Sequence, residues 1–549
     1  MTPQVPQWFV QAKVGMFYHF GLYTLLANTN ENELRQITPK HEYRKKFAEF
    51  NPTRFNADQW VDCAISMGAR YIVPTAKHAE GFCLWDSKLT DLKSTATPFG
   101  RDIIAELSAA AAKKGVKFCL YFNLETWLND GNDVWNRQGM SYADFFEGQL
   151  TELLTGYGPI ALIWFDHQHP ELPLERFKKI IATIKRLQPE CLVNDRGIPN
   201  HTPLIGDYIT PERRIPDVDP SNDWFVEACD SMGAKSWGYF TDDVFFSASE
   251  MAKRLSLCRS KGYNFLINVE PMPDGTIRPE CMTLARELGA WTRANQAAVD
   301  AGRCRIEPLD SVAPYQPSLG VSTIANNTLY LHLHQWPMTD EIFVKVTGHP
   351  VNATIAGERL RIKVEEKGLR MSALPLVPLA GYAPWIVAVE FDGVPQALPD
   401  PKMVIPMREG EFSLSPVAAE PHCVSGVFGL PCINRFPNGN ISMGSLAHVN
   451  DSMTWWVDSP SEGEFDVHLS LGSVKGQSDA SFELVCGSSS LEGRTWLTEH
   501  YSLPVRKSIG RVRLVKGENQ IVLRVTEIPS GPSGAFSDVH GITLVPVGA

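Results

Sequence analysis

Polar side chains stand at the ends of several apolar runs in the N-terminal half of the chain. The run IALIWF ends at Asp166, and the run GMFYHF carries His19. Other runs lead into His78, Tyr121 and Arg196. Each residue alone is consistent with an ordinary loop position or a helix N-cap. If the runs are parallel strands, their carboxyl ends meet at one face, and such a convergence of polar residues indicates a functional site.

The residue types in this set suit cleavage of a glycosidic bond. That reaction needs two carboxyl groups beside the anomeric carbon, one ionised and one protonated. Enzymes that retain the anomeric configuration hold the two groups about 5–5.5 Å apart. Arginine and histidine side chains supply the charge or donors that keep one of them ionised. The carboxyl residues near the predicted strand ends are Glu80, Glu125, Asp166, Asp195 and Glu212.

The order of the apolar runs predicts an α/β fold, an N-terminal (β/α) barrel of TIM type at residues 1–300. Several runs are continuously apolar, as in parallel strands buried on both faces, and amphipathic helices alternate with them. Gly68 and Gly115 follow two of these helices at positions typical of C-caps. About eight such repeats indicate a barrel. The predicted strands are Gly15–Phe20, Tyr71–Pro74, Lys117–Phe122, Ile160–Phe165, Cys191–Asn194, Gly206–Ile209, Ser236–Phe240 and Phe265–Val269.

Two all-β sandwich domains are predicted to follow the barrel. Residues 301–396 contain short strands of alternating polarity, such as Thr328–Gln335, and indicate a small sandwich packed on the barrel. A segment rich in proline and glycine then separates it from residues 412–549. This last region has the same strand pattern and predicts a jelly-roll-like sandwich.

Composition and charge exclude several classes of function. The chain of 549 residues has a net charge of −11, which disfavours nucleic acid and anionic membrane surfaces as partners. Its eleven cysteines form no CxxC pair, so neither a zinc site nor a redox motif is expected. Nucleotide-binding glycine motifs and a GxSxG elbow are absent. No signal-peptide pattern is seen, which favours a cytoplasmic protein, or a secreted or periplasmic one whose leader has been removed.

The ordered motifs of the barrel region resemble those of the retaining α-L-fucosidases, glycoside hydrolase family 29. The longest is AKHAEGFCLWDSKLTDLKSTATPFGRDIIAEL, at residues 76–107. It is followed in order by LYFNLETW, LIWFD, VNDRG, GDYITPE, SWGYF and GYNFLINVEPMPDGTIRPE, and LYLHLHQWP lies in the next domain. The resemblance runs from about Trp8 to Gln396. It implies a barrel that acts on a fucosylated oligosaccharide or glycoconjugate and needs no cofactor and no metal.

The resemblance also implies roles for individual residues. Asp166 falls at the nucleophile, which forms a glycosyl ester that water later opens. Glu212 falls at the acid/base residue of one branch of the family, and Glu227 is the alternative because relatives place this residue on different loops. Glu33 is the candidate for a further sugar-binding carboxylate. The residues that fall where the family binds the sugar hydroxyls are His19, His78, Tyr121 and Arg196.

Two positions depart from the family pattern. A second histidine usually follows the first, where this chain has Ala79, and a tryptophan is common where it has Leu34. Losing one sugar hydrogen bond costs about 0.5–1.5 kcal/mol. A glycosidase for a related sugar, such as a β-galactoside or β-fucoside, is therefore one alternative, and a non-catalytic sugar-binding protein is another.

Aromatic residues suggest further sugar contacts. Trp85 and Trp127 are candidate walls of the pocket, and core packing is the alternative for each. The C-terminal sandwich resembles galactose-binding-like carbohydrate modules in its strand pattern and in Trp455, Trp456 and Trp496. A structural cap or an oligomer contact is the alternative role for this domain, and the sequence leaves the oligomeric state open.

Overall fold

The structure of the chain is a computed structural model that describes residues 5–27, 31–129, 131, 133–197, 205–213, 215, 224–310, 318–398, 404–422, 432–444, 446–474, 478–529 and 536–547. An α/β region comes first, and two all-β regions follow it.

The α/β region is built on a curled parallel sheet of eight strands. The order across the sheet is β6-β5-β4-β2-β1-β8-β7, with β3 beside β2. Isolated parallel bridges, Asn194 with Tyr208 and Ile209 with Val226, join the two edges in place of a continuous strand. The strands are β1 (Val14–Tyr18), β2 (Tyr71–Lys77), β3 (Lys117–Phe118), β4 (Leu120–Asn123), β5 (Leu162–Asp166), β6 (Leu192–Val193), β7 (Glu227–Ser231) and β8 (Asn264–Val269).

Helices surround this sheet, and the residues predicted to end two of them do so. Gly68 and Gly115 adopt left-handed φ angles of 94° and 69° and cap the helices Ala57–Met67 and Ile103–Lys114, which confirms both predictions. The helices are α1 (Gln7–Ala12), α2 (Glu31–Ile37), α3 (Lys40–Glu49), α4 (Ala57–Met67), α5 (Ile103–Lys114), α6 (Val134–Arg137), α7 (Tyr142–Gly156), α8 (Leu174–Leu187), α9 (Ala248–Ser260), α10 (Pro279–Ala294) and α11 (Gln296–Asp300).

Two of the predicted strands are wrong. Gly206–Ile209 contributes only single bridges, and Ser236–Phe240 is a loop that follows the true strand β7. The sequence of β7, EACDS, lacks an apolar pattern, yet all five residues are buried. Long-range partners make this burial possible, because Asp230 pairs with Arg254 and Glu227 accepts two side-chain donors. The predicted TIM-type barrel is thus confirmed in part: a curled parallel sheet with surrounding helices is present, and the described strands do not close it as a continuous ring.

The first all-β region packs against α9, α10 and α11. Trp291 Nε1 donates to the Pro384 carbonyl (2.9 Å), and Thr323 Oγ1 donates to the Ala298 carbonyl (2.8 Å). Its sheets have the orders β16-β15-β19-β12-β11-β9, β10-β13-β18-β17 and β14-β20. The strands are β9 (Gly302–Arg303), β10 (Pro308–Asp310), β11 (Gly320–Ala325), β12 (Thr328–Leu333), β13 (Glu341–Val344), β14 (Val346–Thr347), β15 (Pro350–Ile355), β16 (Glu358–Arg359), β17 (Arg361–Glu365), β18 (Gly368–Ser372), β19 (Trp385–Phe391) and β20 (Gln396–Ala397).

The second all-β region encloses its own apolar core between two sheets. Their orders are β21-β26-β31-β28-β29, with β23 beside β26, and β24-β25-β32-β27-β30, with β22 beside β32. Among the helices that the structure describes, none is long and apolar enough to cross a membrane. The strands are β21 (Val404–Pro406), β22 (Phe412–Leu414), β23 (Glu420–His422), β24 (Cys432–Arg435), β25 (Ile441–Gly444), β26 (Ser452–Ser459), β27 (Gly463–Gly472), β28 (Ser481–Cys486), β29 (Ser489–Arg494), β30 (Val505–Leu514), β31 (Gly517–Glu527) and β32 (Asp538–Pro546).

Candidate active site

Arg196 joins two carboxylates at the carboxyl end of the curled sheet. Its Nη1 lies 2.8 Å from Asp166 Oδ1, and its Nη2 lies 2.9 Å from Glu212 Oε2. The guanidinium carbon lies 4.3 Å from the ring centroid of Trp164, and Nη2 also donates to the Thr210 carbonyl (3.0 Å). One planar cation therefore contacts both of the carboxyl groups that the sequence analysis singled out as the candidate catalytic pair.

Asp166 is the last residue of β5 and is held in its ionised form. Burial opposes ionisation, but the positive charges of His167 and Arg196 outweigh it and keep the pKa of Asp166 well below its usual range. Tyr121 adds a hydrogen bond, since its hydroxyl donates to Asp166 Oδ2 over 2.8 Å. An ionised carboxylate with two donors in a largely buried site is suited to act as a nucleophile.

Rings from different strands converge beside this carboxylate. Tyr121 stacks on His78, with centroids 5.4 Å apart, and His19 lies 5.2 Å from both Tyr121 and Trp237. His19 Nδ1 is 2.7 Å from Asn268 Oδ1. Burial, together with the nearby His78, lowers the pKa of His19 to about 3, so this imidazole is neutral. A neutral imidazole and a phenol between aromatic rings can bind sugar hydroxyls and a sugar's apolar face.

The buried carboxylate of the first loop is Glu31, whereas Glu33, the residue that the sequence suggested, is exposed. Glu31 is 4% exposed and accepts hydrogen bonds from Ser236 Oγ (2.7 Å) and the Trp237 backbone N–H (3.1 Å). Burial raises its pKa, but His78 and the bond from Ser236 reverse the effect and leave that pKa lowered. Glu33 lies exposed on the same helix α2. Residues two apart on a helix point in different directions, so only one of the two can face the rings.

Glu227, the alternative acid/base residue, lies at the other end of the sheet. It is the first residue of β7 and is fully buried. Tyr71, the first residue of β2, donates its hydroxyl to Glu227 Oε2, and Trp164 Nε1 donates to Oε1 (3.0 Å). Burial raises the pKa of Glu227 to about 7. The sequence placed the neighbouring strand at Ser236–Phe240 and therefore did not show that Glu227 begins a strand and lies among the amino ends.

The two candidate pocket tryptophans both pack against protein. Trp85 is fully buried, and its Nε1 donates to Glu152 Oε2 over 3.0 Å. Trp127 is partly exposed, lies edge-on to Tyr43 with centroids 5.3 Å apart, and has Lys40 Nζ 5.5 Å from its ring centroid. Core packing therefore accounts for Trp85, while Trp127 covers helix α3.

Sequence reasoning missed a chain of charged groups that leads to Asp166. Arg35 Nη1 lies 2.5 Å from Glu125 Oε2, and the same oxygen lies 3.5 Å from His167 Nδ1. His167 Nε2 lies 3.9 Å from Asp166 Oδ2, and its backbone is left-handed, with φ of 57°. Burial opposes the effect, but Asp166 and Glu125 leave the pKa of His167 raised. His167 could have been found from its place directly after Asp166, whereas no spacing in the sequence links it to Arg35. No group of three His, Cys, Asp or Glu side chains suited to a metal ion occurs in the described part of the chain.

Comparison with known proteins agrees with this geometry. Residues 2–297 match the sequence profile of the α-L-fucosidase family. The tissue α-L-fucosidase of Mus musculus is 28% identical over 366 residues, which cover 61% of this chain and 78% of that protein. A family 29 α-L-fucosidase of Bacteroides thetaiotaomicron, solved as a trapped covalent intermediate with 2-fluoro-fucosyl fluoride, is 26% identical with a TM-score of 0.61 over 71% of this chain and 95% of that one. The α-L-fucosidase of Vibrio sp. strain EJY3 has a similar fold across 98% of this chain and 97% of its own, at 22% identity and a TM-score of 0.64.

Proposed function

The chain belongs to the α-L-fucosidase family and is a glycoside hydrolase of α-L-fucosides, and we propose that it retains the anomeric configuration, with Asp166 as nucleophile and Glu212 as acid/base. The observation that carries this proposal is the contact of both carboxylates with the one guanidinium of Arg196. Two carboxyl groups that share a single cation suit the short separation of about 5–5.5 Å that retaining glycosidases use.

In the first step, a carboxylate oxygen of Asp166 attacks the anomeric carbon as the bond from that carbon to the leaving oxygen breaks. Glu212 donates its proton to the leaving oxygen, and a fucosyl ester of Asp166 forms. The lowered pKa of Asp166 keeps the attacking oxygen ionised at acidic pH. Tyr121 and Arg196 hold that carboxylate in place through its two oxygens.

In the second step, a water molecule attacks the same carbon. Glu212, now ionised, accepts a proton from the water, and the ester bond breaks to release Asp166 as a carboxylate. Each step inverts the configuration, so the product keeps that of the substrate. The covalent intermediate trapped in the related Bacteroides thetaiotaomicron fucosidase supports this two-step mechanism for the present chain.

The fucose ring of a fucosylated oligosaccharide or glycoconjugate is assigned to the space between the rings and Glu31. Neutral His19 can donate or accept a hydrogen bond with a fucose hydroxyl. Ionised Glu31 is a strong acceptor for another hydroxyl. Trp237 lies beside His19 and offers an aromatic face to the sugar. Ala79 is fully buried and has no donor, so β-fucosides and β-galactosides form a second candidate substrate class.

Release of nitrophenol from 4-nitrophenyl α-L-fucoside tests the nucleophile. We expect Asp166→Ala to lower kcat/KM by about 10⁴-fold or more. Glu227→Gln is the matched control, since it changes a buried carboxyl of the same sheet, and should stay within a few fold of wild type. The same assay with 4-nitrophenyl β-D-galactoside and β-D-fucoside measures the second substrate class.

Leaving-group dependence and product stereochemistry test the rest of the proposal. Glu212→Ala should slow a fucosyl disaccharide much more than the nitrophenyl fucoside, whose leaving group needs no protonation. Equal losses on both substrates would remove Glu212 as the acid/base. Proton NMR at early times should show the α-anomer of fucose as first product, and initial β-anomer would overturn the retaining mechanism.

A further inference from the structure

A cleft opens on the C-terminal sandwich, at the end of β24 and beside β32. Its volume is about 480 Å³, within the range of small-molecule sites. It shares no lining residue with the Asp166 site. The lining residues are Ile433, Asn434, Arg435, Phe436, Tyr501 and Asp538.

One wall of the cleft is an aromatic surface that reaches solvent. The ring centroids of Phe436 and Tyr501 are 5.7 Å apart, and Phe436 stacks on His540 at 5.9 Å. His500 lies 3.9 Å from Tyr501. Tyr501 is 40% exposed, so its ring is accessible to a ligand. Such a surface matches the apolar C–H face of a sugar ring.

The opposite wall is polar and carries charges of both signs. Asp538 is 5% exposed and accepts hydrogen bonds from Asn434 Nδ2 (2.8 Å) and Ser442 Oγ (2.6 Å). A Cβ atom at Gly444 would lie 2.5 Å from Asn434 Nδ2 and 2.9 Å from Asp538 Oδ1, so the glycine leaves space for this pair. The exposed Arg435 offsets the charge of Asp538. The lining therefore has no net charge, which favours a neutral ligand rich in hydroxyl groups.

The cleft is held in shape by hydrogen bonds between its two turns. Asn438 Nδ2 and Asn440 Nδ2 both donate to the Ser502 carbonyl, at 3.0 and 2.9 Å. His540 Nε2 lies 2.8 Å from the Tyr501 carbonyl, where only the imidazole can donate. A site formed before the ligand arrives loses little affinity to ordering on binding.

We propose that this cleft binds a neutral carbohydrate, with the sugar's apolar face on Tyr501 and Phe436 and its hydroxyls on Asn434, Arg435 and Asp538. Binding here is independent of the catalytic assignments. It holds the enzyme on a glycan-bearing polymer and raises the local concentration of its substrate.

The tryptophans that the sequence suggested for this role pack elsewhere. Trp455 is fully buried, and its Nε1 donates to the Ser415 carbonyl (2.8 Å). Trp496 packs against the core, with Lys507 Nζ 4.9 Å from its ring centroid. Trp456 is partly exposed on a different sheet from β24 and β32. The exposed aromatic platform of this domain is therefore the Phe436 and Tyr501 pair.

Affinity electrophoresis of the full-length enzyme tests the proposal. Native gels contain a neutral galactan or dextran at graded concentrations, and the migration of each protein is compared with that in a gel without polymer. We expect at least one polymer to retard the wild type and Tyr501→Ala to weaken that binding at least tenfold. Leu497→Ala is the control, because Leu497 is 60% exposed on the same domain and lies outside the cleft.

Melting temperature and hydrolysis of 4-nitrophenyl α-L-fucoside are measured on all three proteins and should agree within error. These two measurements distinguish a loss of carbohydrate binding at the cleft from a loss of folding or of catalytic activity. The proposal is overturned if no polymer retards the wild type, or if Tyr501→Ala is retarded as strongly as wild type. Equal loss in Leu497→Ala would also overturn it, since the effect would then not belong to the cleft.

Discussion

Asp166 and Glu227 are carboxyl residues of the same curled sheet, and they lie at opposite ends of its strands. Asp166 ends β5 and has a pKa well below its usual range, because His167 and Arg196 outweigh burial. Glu227 begins β7, and burial raises its pKa to about 7. Trp164 touches both sites, since its Nε1 donates to Glu227 while its ring lies under Arg196.

The difference lies in the partners rather than in the depth of burial. Glu227 accepts hydrogen bonds from the phenol of Tyr71 and the indole of Trp164, which are neutral. Asp166 faces a guanidinium and an imidazole, so its ionised form is the stable one. Burial beside neutral donors leaves the pKa of Glu227 raised, whereas nearby cations lower the pKa of Asp166 and keep its carboxylate ionised.

Among the variants considered, Arg196→Met should have the largest effect on the difference between Asp166 and Glu227. The variant leaves Asp166 and Glu212 without their shared cation, and removing one partner of a buried ion pair costs about 3–5 kcal/mol. We expect kcat/KM on 4-nitrophenyl α-L-fucoside to fall by about 10²–10³-fold. The acidic limb of the pH profile should move to higher pH, because the pKa of Asp166 loses part of its support.

Arg176→Met is the control, as Arg176 pairs with Asp144 and Glu147 on the helical surface. Melting curves check that both variants fold. An Arg196→Met enzyme within tenfold of wild type would show that the low pKa of Asp166 depends on other groups.

Glu31→Gln should have an intermediate effect on activity. It tests a third buried carboxylate, which lies in the loop above the carboxyl ends of the strands. Hydrogen bonds to charged groups are worth about 1.5–3 kcal/mol, so a loss of about 10–100-fold in kcat/KM is expected. Glu33→Gln, two residues away on the exposed side of α2, should stay within twofold. Steady-state kinetics of the two variants side by side measure this difference. Equal effects would contradict the assignment of Glu31 to the pocket.

Glu227→Gln should leave catalysis nearly unchanged and alter only the pH dependence of stability. The folded-state pKa of Glu227 is raised, so its contribution to stability is complete below about pH 4.5 and is lost as pH rises through about 7. Glutamine imitates the protonated acid and cannot ionise. Relative to the variant, the wild type should lose about 3 kcal/mol of unfolding free energy between pH 4.5 and 8.

Urea unfolding at several pH values measures that difference. Glu270, whose pKa burial raises to about 8, contributes with the same sign in both proteins and cancels in the comparison. A constant difference between wild type and variant across this range would mean that Glu227 is ionised in the fold.

The sequence by itself was enough to predict the kind of chemistry and to bring most of the candidate site residues to one face of the sheet. Alternation of apolar runs with helices places His19, His78, Tyr121 and Asp166 at carboxyl ends of parallel strands, and these ends meet whatever the details of packing. Arg196 follows from the same rule. Most strands of this set are apolar runs, so local pattern and tertiary burial agree for them.

Only the tertiary structure decided the remaining features. The strand β7 carries two acidic residues and is buried because Arg254, Tyr71 and Trp164 reach it from distant segments. Such partners leave no local pattern, and the misplaced strand then moved Glu227 to the wrong end of the sheet. The choice of Glu31 over Glu33 depends on which side of α2 faces the rings. That orientation is set by packing against the loop of Trp237, about two hundred residues further along the chain.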